Sequence, residues 1–128
     1  AANYELAGRL TVAELALPPV FQLALEQGNR AHDLPRYPAS YRDIALIGSA
    51  DTAADLIGQG IIEAGGEYIR AARLFDLYDK PPIPAGQRSL AYALEFRAED
   101  RTLTDQEVDA AFAAIVRAMQ EKYAYRLR

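Results

Sequence analysis

Hydrophobic and polar positions alternate most clearly over Arg88–Arg97. Leu90, Tyr92, Leu94 and Phe96 fall on one side of an extended chain; Ser89, Ala91, Ala93, Glu95 and Arg97 fall on the other. A period of two predicts a strand with one buried and one open face. A second strand is predicted from about Tyr68 to Tyr78. Between the two lies Asp79–Gln87, which carries Pro81, Pro82, Pro84 and Gly86. Prolines remove backbone donors, so this stretch is a loop joining neighbouring strands.

Upstream, Pro35-Arg36-Tyr37-Pro38 marks a boundary, since each proline holds its predecessor extended. Tyr41–Ile47 then reads as a strand, with Ile44 and Leu46 on one face and Asp43, Ala45 and Ile47 on the other. Gly48–Thr52 predicts a turn in which Asp51 or Thr52 caps a helix. That helix runs to about Ala64, with Leu56, Ile57, Ile61 and Ala64 lining one side. Gly58 and Gly60 each weaken it by roughly 1 kcal/mol against Ala, so it needs tertiary support; Gly65-Gly66 stops it. Downstream, Thr104-Asp105-Gln106-Glu107 is a capping box, with Asp105 suited to the positive end of the helix dipole. Val108, Ala111, Phe112, Ile115, Met119 and Tyr123 follow at helical spacing, as a core stripe. Tyr125–Arg128 is a short candidate fourth strand.

The predicted order is β-α-β-β-α-β. With right-handed crossovers, two such units interleave into a four-stranded antiparallel sheet with two helices on one face, a ferredoxin-like α+β fold. The helices then cover Leu90, Tyr92, Leu94 and Phe96, and Ser89 and Ala91 stay outside.

Residues 1–35 are harder to read. Tyr4–Leu10 suggests a strand, Thr11–Leu17 a helical turn before Pro18-Pro19, and Val20–Leu25 another strand. No core of adequate size is visible, so the segment reads either as the end of a preceding domain or as an N-terminal arm. His32 sits in a polar linker without a second His or an acidic pair at ligand spacing, and reads as solvent-exposed.

Composition narrows the chemistry. The 128 residues and hydrophobic fraction of 51% suffice for one domain with an ordinary core. The first residue is Ala1, not Met, which suggests a processed or excised chain. Cysteine is absent, which excludes thiol catalysis and thiolate-bound metal. There is no phosphate-cradling glycine loop, nucleophile elbow or His-based metal motif. Asp76 and Asp79 read as a solvated rim. No apolar run is long enough to span a bilayer. The net charge is −4; residues 36–128 hold 12 Lys and Arg against 14 Asp and Glu. A general nucleic-acid coat would be basic, so nucleic acid would have to be bound by a local patch, with shallow salt dependence.

Several short stretches occur in one order: Tyr37-Pro38-Ala39-Ser40-Tyr41-Arg42-Asp43-Ile44-Ala45, Gly65-Gly66, Arg73-Leu74-Phe75-Asp76-Leu77-Tyr78, Ile83-Pro84-Ala85-Gly86, Ser89-Leu90-Ala91-Tyr92 and Arg101–Val108. Together they resemble the ferredoxin-fold anticodon-binding domain that ends the β subunit of bacterial phenylalanyl-tRNA synthetase, over roughly residues 36–128. Residues 1–35 resemble, more weakly, the end of the preceding module of that subunit. The resemblance implies a cytoplasmic α2β2 parent that attaches phenylalanine to its tRNA with ATP and magnesium at the α subunit. The domain itself would hold no cofactor and perform no chemistry. Its partners would be the tRNA(Phe) anticodon stem-loop, the rest of the β subunit and the α subunit, with no membrane.

On that reading Tyr78 is the stacking platform, Ser89 a donor or acceptor at a base edge, and Ala45 a small residue that lets a base sit low. These three positions match residues the family uses near the anticodon. Lys80 and Arg88 flank the loop and can meet phosphates, as can Arg42, unless it pairs with Asp43 or Asp76. Structural readings stand beside these: Tyr78 packing on Pro81-Pro82, Ser89 capping a strand end, and Arg42-Asp43 fixing the chain entry. Two other functions share the fold: an amino-acid-sensing regulatory domain using the Gly48–Thr52 turn, and a protein-interaction module using the open sheet face.

Overall fold

The structure is a computed structural model and describes residues 11–27 and 34–128. The expected Tyr4–Leu10 strand and His32 lie outside the described residues. The chain divides into two units, Ala1–Leu34 and Pro35–Arg128.

In the first unit, α1 spans Leu17–Gln27, where a strand over Val20–Leu25 and a helical turn over Thr11–Leu17 were expected. Pro18 and Pro19 fall in the first helical turn, whose amides have no intrahelical acceptor, so the missing donors cost nothing. Gln22, Leu23, Ala24, Leu25 and Glu26 then favour continuation.

The second unit contains β1 (Ser40–Ser49), α2 (Ala54–Gly65), β2 (Ile69–Tyr78), β3 (Gln87–Phe96), α3 (Asp105–Tyr123) and β4 (Arg126–Leu127). The sheet order is β2-β3-β1-β4, with every pairing antiparallel. This is the expected ferredoxin-like arrangement. Ile44, Leu46, Leu90, Tyr92, Leu94 and Phe96 are buried with Ile57 and Ile61 of α2 and Val108, Ile115 and Met119 of α3. Helical spacing on α2 buries Ile57, Gly60, Ile61 and Gly65. Leu56, expected on that side, is one position out of phase and exposed.

Close approaches explain two glycines. A Cβ on Gly60 would lie 2.6 Å from the Tyr123 ring, so the helix cost of glycine there admits the aromatic of α3. A Cβ on Gly48 would overlap the ring of Tyr125, which is fully buried and whose hydroxyl donates to the Ser49 carbonyl at 2.6 Å.

The capping box of α3 is present. Glu107 N–H donates to Thr104 Oγ1 at 3.4 Å, and Thr104 N–H donates to Glu107 Oε2 at 2.8 Å. Arg101 Nη2 adds a bond to Glu107 Oε1 at 2.5 Å. These bonds to the charged form hold the Glu107 carboxyl down at about 2.

The expected cap of α2 differs. Its N-cap is Ala53, with no side-chain bond. Two sheet side chains instead grip carbonyls at its entry: Tyr92 Oη donates to Ala54 O at 2.6 Å, and Arg88 Nη2 donates to Thr52 O. Asp51 is used differently, its N–H donating to Ser49 Oγ at 3.2 Å within the turn. Gly66, at φ 64°, ends α2. Ala124, at φ 56°, ends α3 and turns the chain into β4.

Candidate nucleic-acid interface

The face of the sheet away from the helices is open, and strand register fixes what it carries. Tyr78 stands opposite Ser89, Ser89 opposite Ile47, and Ile47 opposite Arg126. Since side chains alternate, these four share a face. The next row joins Asp76, Ala91 and Ala45. It continues to Arg128, whose N–H donates to the Ala45 carbonyl at 2.9 Å. The floor of the loop end is therefore two alanines, a serine and an isoleucine, between Tyr78 and Asp76 on one edge strand and two arginines on the other.

Tyr78 is half-buried, and its orientation is fixed at the far end of the ring. Its hydroxyl donates to the Pro81 carbonyl at 2.7 Å. The expected packing on the proline turn thus occurs through the hydroxyl. The ring also meets a cation, with the Arg128 guanidinium carbon 5.8 Å from its centroid. The loop is braced by Ile83 N–H on Lys80 O and Gln87 N–H on Pro84 O, both at 3.0 Å, with Gly86 at φ 77°. Ala50 N–H donates to Gly86 O at 2.9 Å, tying the loop to the end of β1. A groove of about 490 Å³ lies there, lined by Ile47, Ser49, Gly86, Gln87 and Arg126 among others.

The structure brings Tyr78, Ser89 and Ala45 together, and leaves Lys80 exposed in the adjoining loop. Ser89 faces the open side but is only 3% exposed, flanked in register by Tyr78 and Ile47. A ligand reaches its hydroxyl only when that cover shifts. Arg88 and Arg42 sit elsewhere. Arg88 has the parity of Leu90, lies on the helix side and is held by Thr52 O. Arg42 stands opposite Leu94, also on the helix side. It lies 3.8 Å from Asp105 and 3.6 Å from Asp109 at the start of α3, rather than by Asp43 or Asp76.

Two cations that the sequence reading passed over, Arg126 and Arg128, border the floor. The signal was available: in a strand over Tyr125–Arg128, alternation puts both arginines opposite the buried Tyr125. The far end of the open face is occupied by ion pairs. Arg97 donates to Glu95 at 2.8 Å, and Arg73 lies 3.9 Å from the same carboxylate. At the loop end Lys80, Arg126 and Arg128 stand with Asp76 and Asp79.

A ferredoxin-like sheet with helices on one side and a small-residue floor on the other defines a class of open-faced α+β binding domains. Within that class, residues 35–128 match the ferredoxin-fold anticodon binding domain, and the chain belongs to this family. It is 45% identical over 127 residues to the phenylalanine–tRNA ligase beta subunit of Moorella thermoacetica, covering 99% of this chain and 16% of that protein. The same subunit of Symbiobacterium thermophilum is 41% identical over 118 residues, covering 92% of this chain and 13% of that protein. That of Clostridium tetani is 35% identical over 127 residues, covering 98% and 16% respectively. The chain therefore spans between about one-eighth and one-sixth of the length of these relatives.

Proposed function

We propose that this domain holds the anticodon stem-loop of tRNA(Phe) on the loop end of its open sheet face, as the C-terminal part of a phenylalanine–tRNA ligase β subunit. The observation that carries the reading is the register row Tyr78–Ser89–Ile47 beside the Ala91–Ala45 floor. An unpaired loop base stacks on an aromatic edge, and small residues let it descend to the sheet. Lys80 and Arg126 supply phosphate contacts in a chain of net charge −4, and Arg128 adds positive charge over the floor. On this reading the rest of the β subunit and an α subunit are the assembly partners, and ATP and magnesium act at the α subunit. Among the described residues, no group of three or more His, Asp or Glu side chains is placed to hold a metal ion.

The test is binding of the chain to the tRNA(Phe) anticodon stem-loop at low salt, beside a scrambled loop on the same stem. Loop-selective binding, weakened about tenfold or more by Tyr78→Ala, is the expected outcome. Equal binding to both loops would refute the reading. So would Tyr78→Ala binding as well as the parent chain.

A further inference from the structure

Arg128 and Tyr78 start from opposite edges of the sheet. β4 and β2 are separated by β1 and β3. With neighbouring strands about 4.8 Å apart, three spacings put their backbones roughly 14 Å apart. Yet the guanidinium carbon is 5.8 Å from the ring centroid. The arginine arm therefore runs across the open face. It passes over positions 45 and 91, both alanine, and comes to the aromatic ring next to Ser89. Larger side chains at 45 or 91 would block that course. The small floor thus has a second consequence, which is to let a cation lie flat over the sheet.

We propose that Arg128 and Tyr78 form a two-jawed clamp for a single unpaired base, with the ring below and the guanidinium plane above. This rests on the anticodon-loop reading and names a further base-contacting residue for it. A planar base between two planar groups needs two contacts of about 3.5 Å, hence roughly 7 Å between the jaws. The present 5.8 Å is short of that by little more than an ångström. The arginine is exposed and unbranched, so it can lift by that amount, whereas Tyr78 is pinned through its hydroxyl to Pro81. The ring is the fixed jaw and the guanidinium the moving one. Ser89 lies beside the fixed jaw, covered in register by Tyr78 and Ile47. Arginine suits the role better than lysine, because its planar delocalised cation stacks while an ammonium is a point charge.

The experiment uses the 128-residue chain, the tRNA(Phe) anticodon stem-loop with 2-aminopurine replacing each loop base in turn, and three variants: Tyr78→Ala, Arg128→Ala and Arg128→Lys. One loop position should lose its fluorescence on binding, as a base stacked on both sides does. Arg128→Ala should bind roughly fivefold more weakly and partly restore that fluorescence. Arg128→Lys should restore it equally while keeping the salt dependence of the parent chain. Arg128→Ala, which removes one positive charge from the interface, should instead reduce the slope of log K against log salt, by at most about 0.7.

Unchanged fluorescence in both Arg128 variants, with Tyr78→Ala still impaired, would overturn the clamp and leave the anticodon reading standing. Tighter binding by Arg128→Ala would also overturn it, making the arginine a competing cover. Absence of loop-selective binding by the parent chain would overturn both. Because Arg128 is exposed at the sheet edge, an unchanged unfolding midpoint should accompany these effects.

Discussion

Gly48→Ala is the substitution that separates the packing of β4 from everything else in the domain. Gly48 lies on β1, opposite Arg88, and the ring of Tyr125 rests on its backbone. A methyl group there would overlap three ring carbons. The ring has little freedom to yield: it is fully buried, and its hydroxyl is bound to Ser49 O at 2.6 Å. Overpacking of this kind costs about 1–3 kcal/mol, and loss of the hydroxyl bond adds about 1 kcal/mol. The expected destabilisation is therefore about 2–4 kcal/mol. Urea unfolding followed by circular dichroism measures it, with the slope unchanged if only stability has moved. The decisive control is a double-mutant cycle. Tyr125→Ala alone costs about 3–5 kcal/mol, and in that background Gly48→Ala should cost less than about 0.5 kcal/mol. A penalty of the same size in both backgrounds would refute the argument, because the cost would then come from the strand backbone. The result also bears on binding, since Tyr125 directly precedes the strand β4 that carries Arg126 and leads to Arg128.

Other outcomes follow from the same geometry. Glu107 has a folded-state pKa near 2, below its usual value of 4.5. Its stabilising effect is full above pH 4.5 and is lost as pH falls toward 2. Glu107→Gln should flatten the thermal midpoint over that window relative to the parent chain; an unaltered profile would contradict the assignment. Ala124 sits at φ 56°, a left-handed conformation that strains any residue with a Cβ. Ala124→Gly should raise stability by about 0.5–1 kcal/mol in denaturant titration, and a loss would contradict it. Burial, the neighbouring Tyr125 and nearby Asp55 push Tyr92 up to about 12 against the opposing pull of Arg88. Tyr92→Phe should remove a tyrosine that titrates at about 12 from an alkaline absorbance titration. It should also cost about 0.5–1.5 kcal/mol, because the bond from the hydroxyl to the Ala54 carbonyl is lost.

The sheet was legible because β1 and β3 alternate without interruption, and alternation carries the assignment of faces with it. The helix α3 was legible because a capping box precedes a core stripe in phase. Three features escaped for definite physical reasons. Val20–Leu25 has the apolar, β-branched and aromatic content of a strand, but Pro18-Pro19, which would break a helix interior, opens one instead. The entry of α2 was expected to use a local side-chain cap. Its anchors, Arg88 and Tyr92, come from 36 and 38 residues away, a separation that local patterns do not encode. Arg88 and Arg42 were placed near phosphates by their sequence neighbours, yet parity puts both on the helix side. Parity also brings out Arg126 and Arg128, once alternation is carried through the short β4.

The central claim is that the open face between Tyr78 and Arg128 receives the anticodon loop. The most direct measurement is an amide chemical-shift titration of the labelled chain with the tRNA(Phe) anticodon stem-loop. Shifts concentrated at Ala45, Ile47, Tyr78, Ser89 and Ala91, with those of α2 and α3 unmoved, are the predicted result. Shifts confined to the helix side, or to the ion-paired end around Glu95 and Arg97, would contradict it.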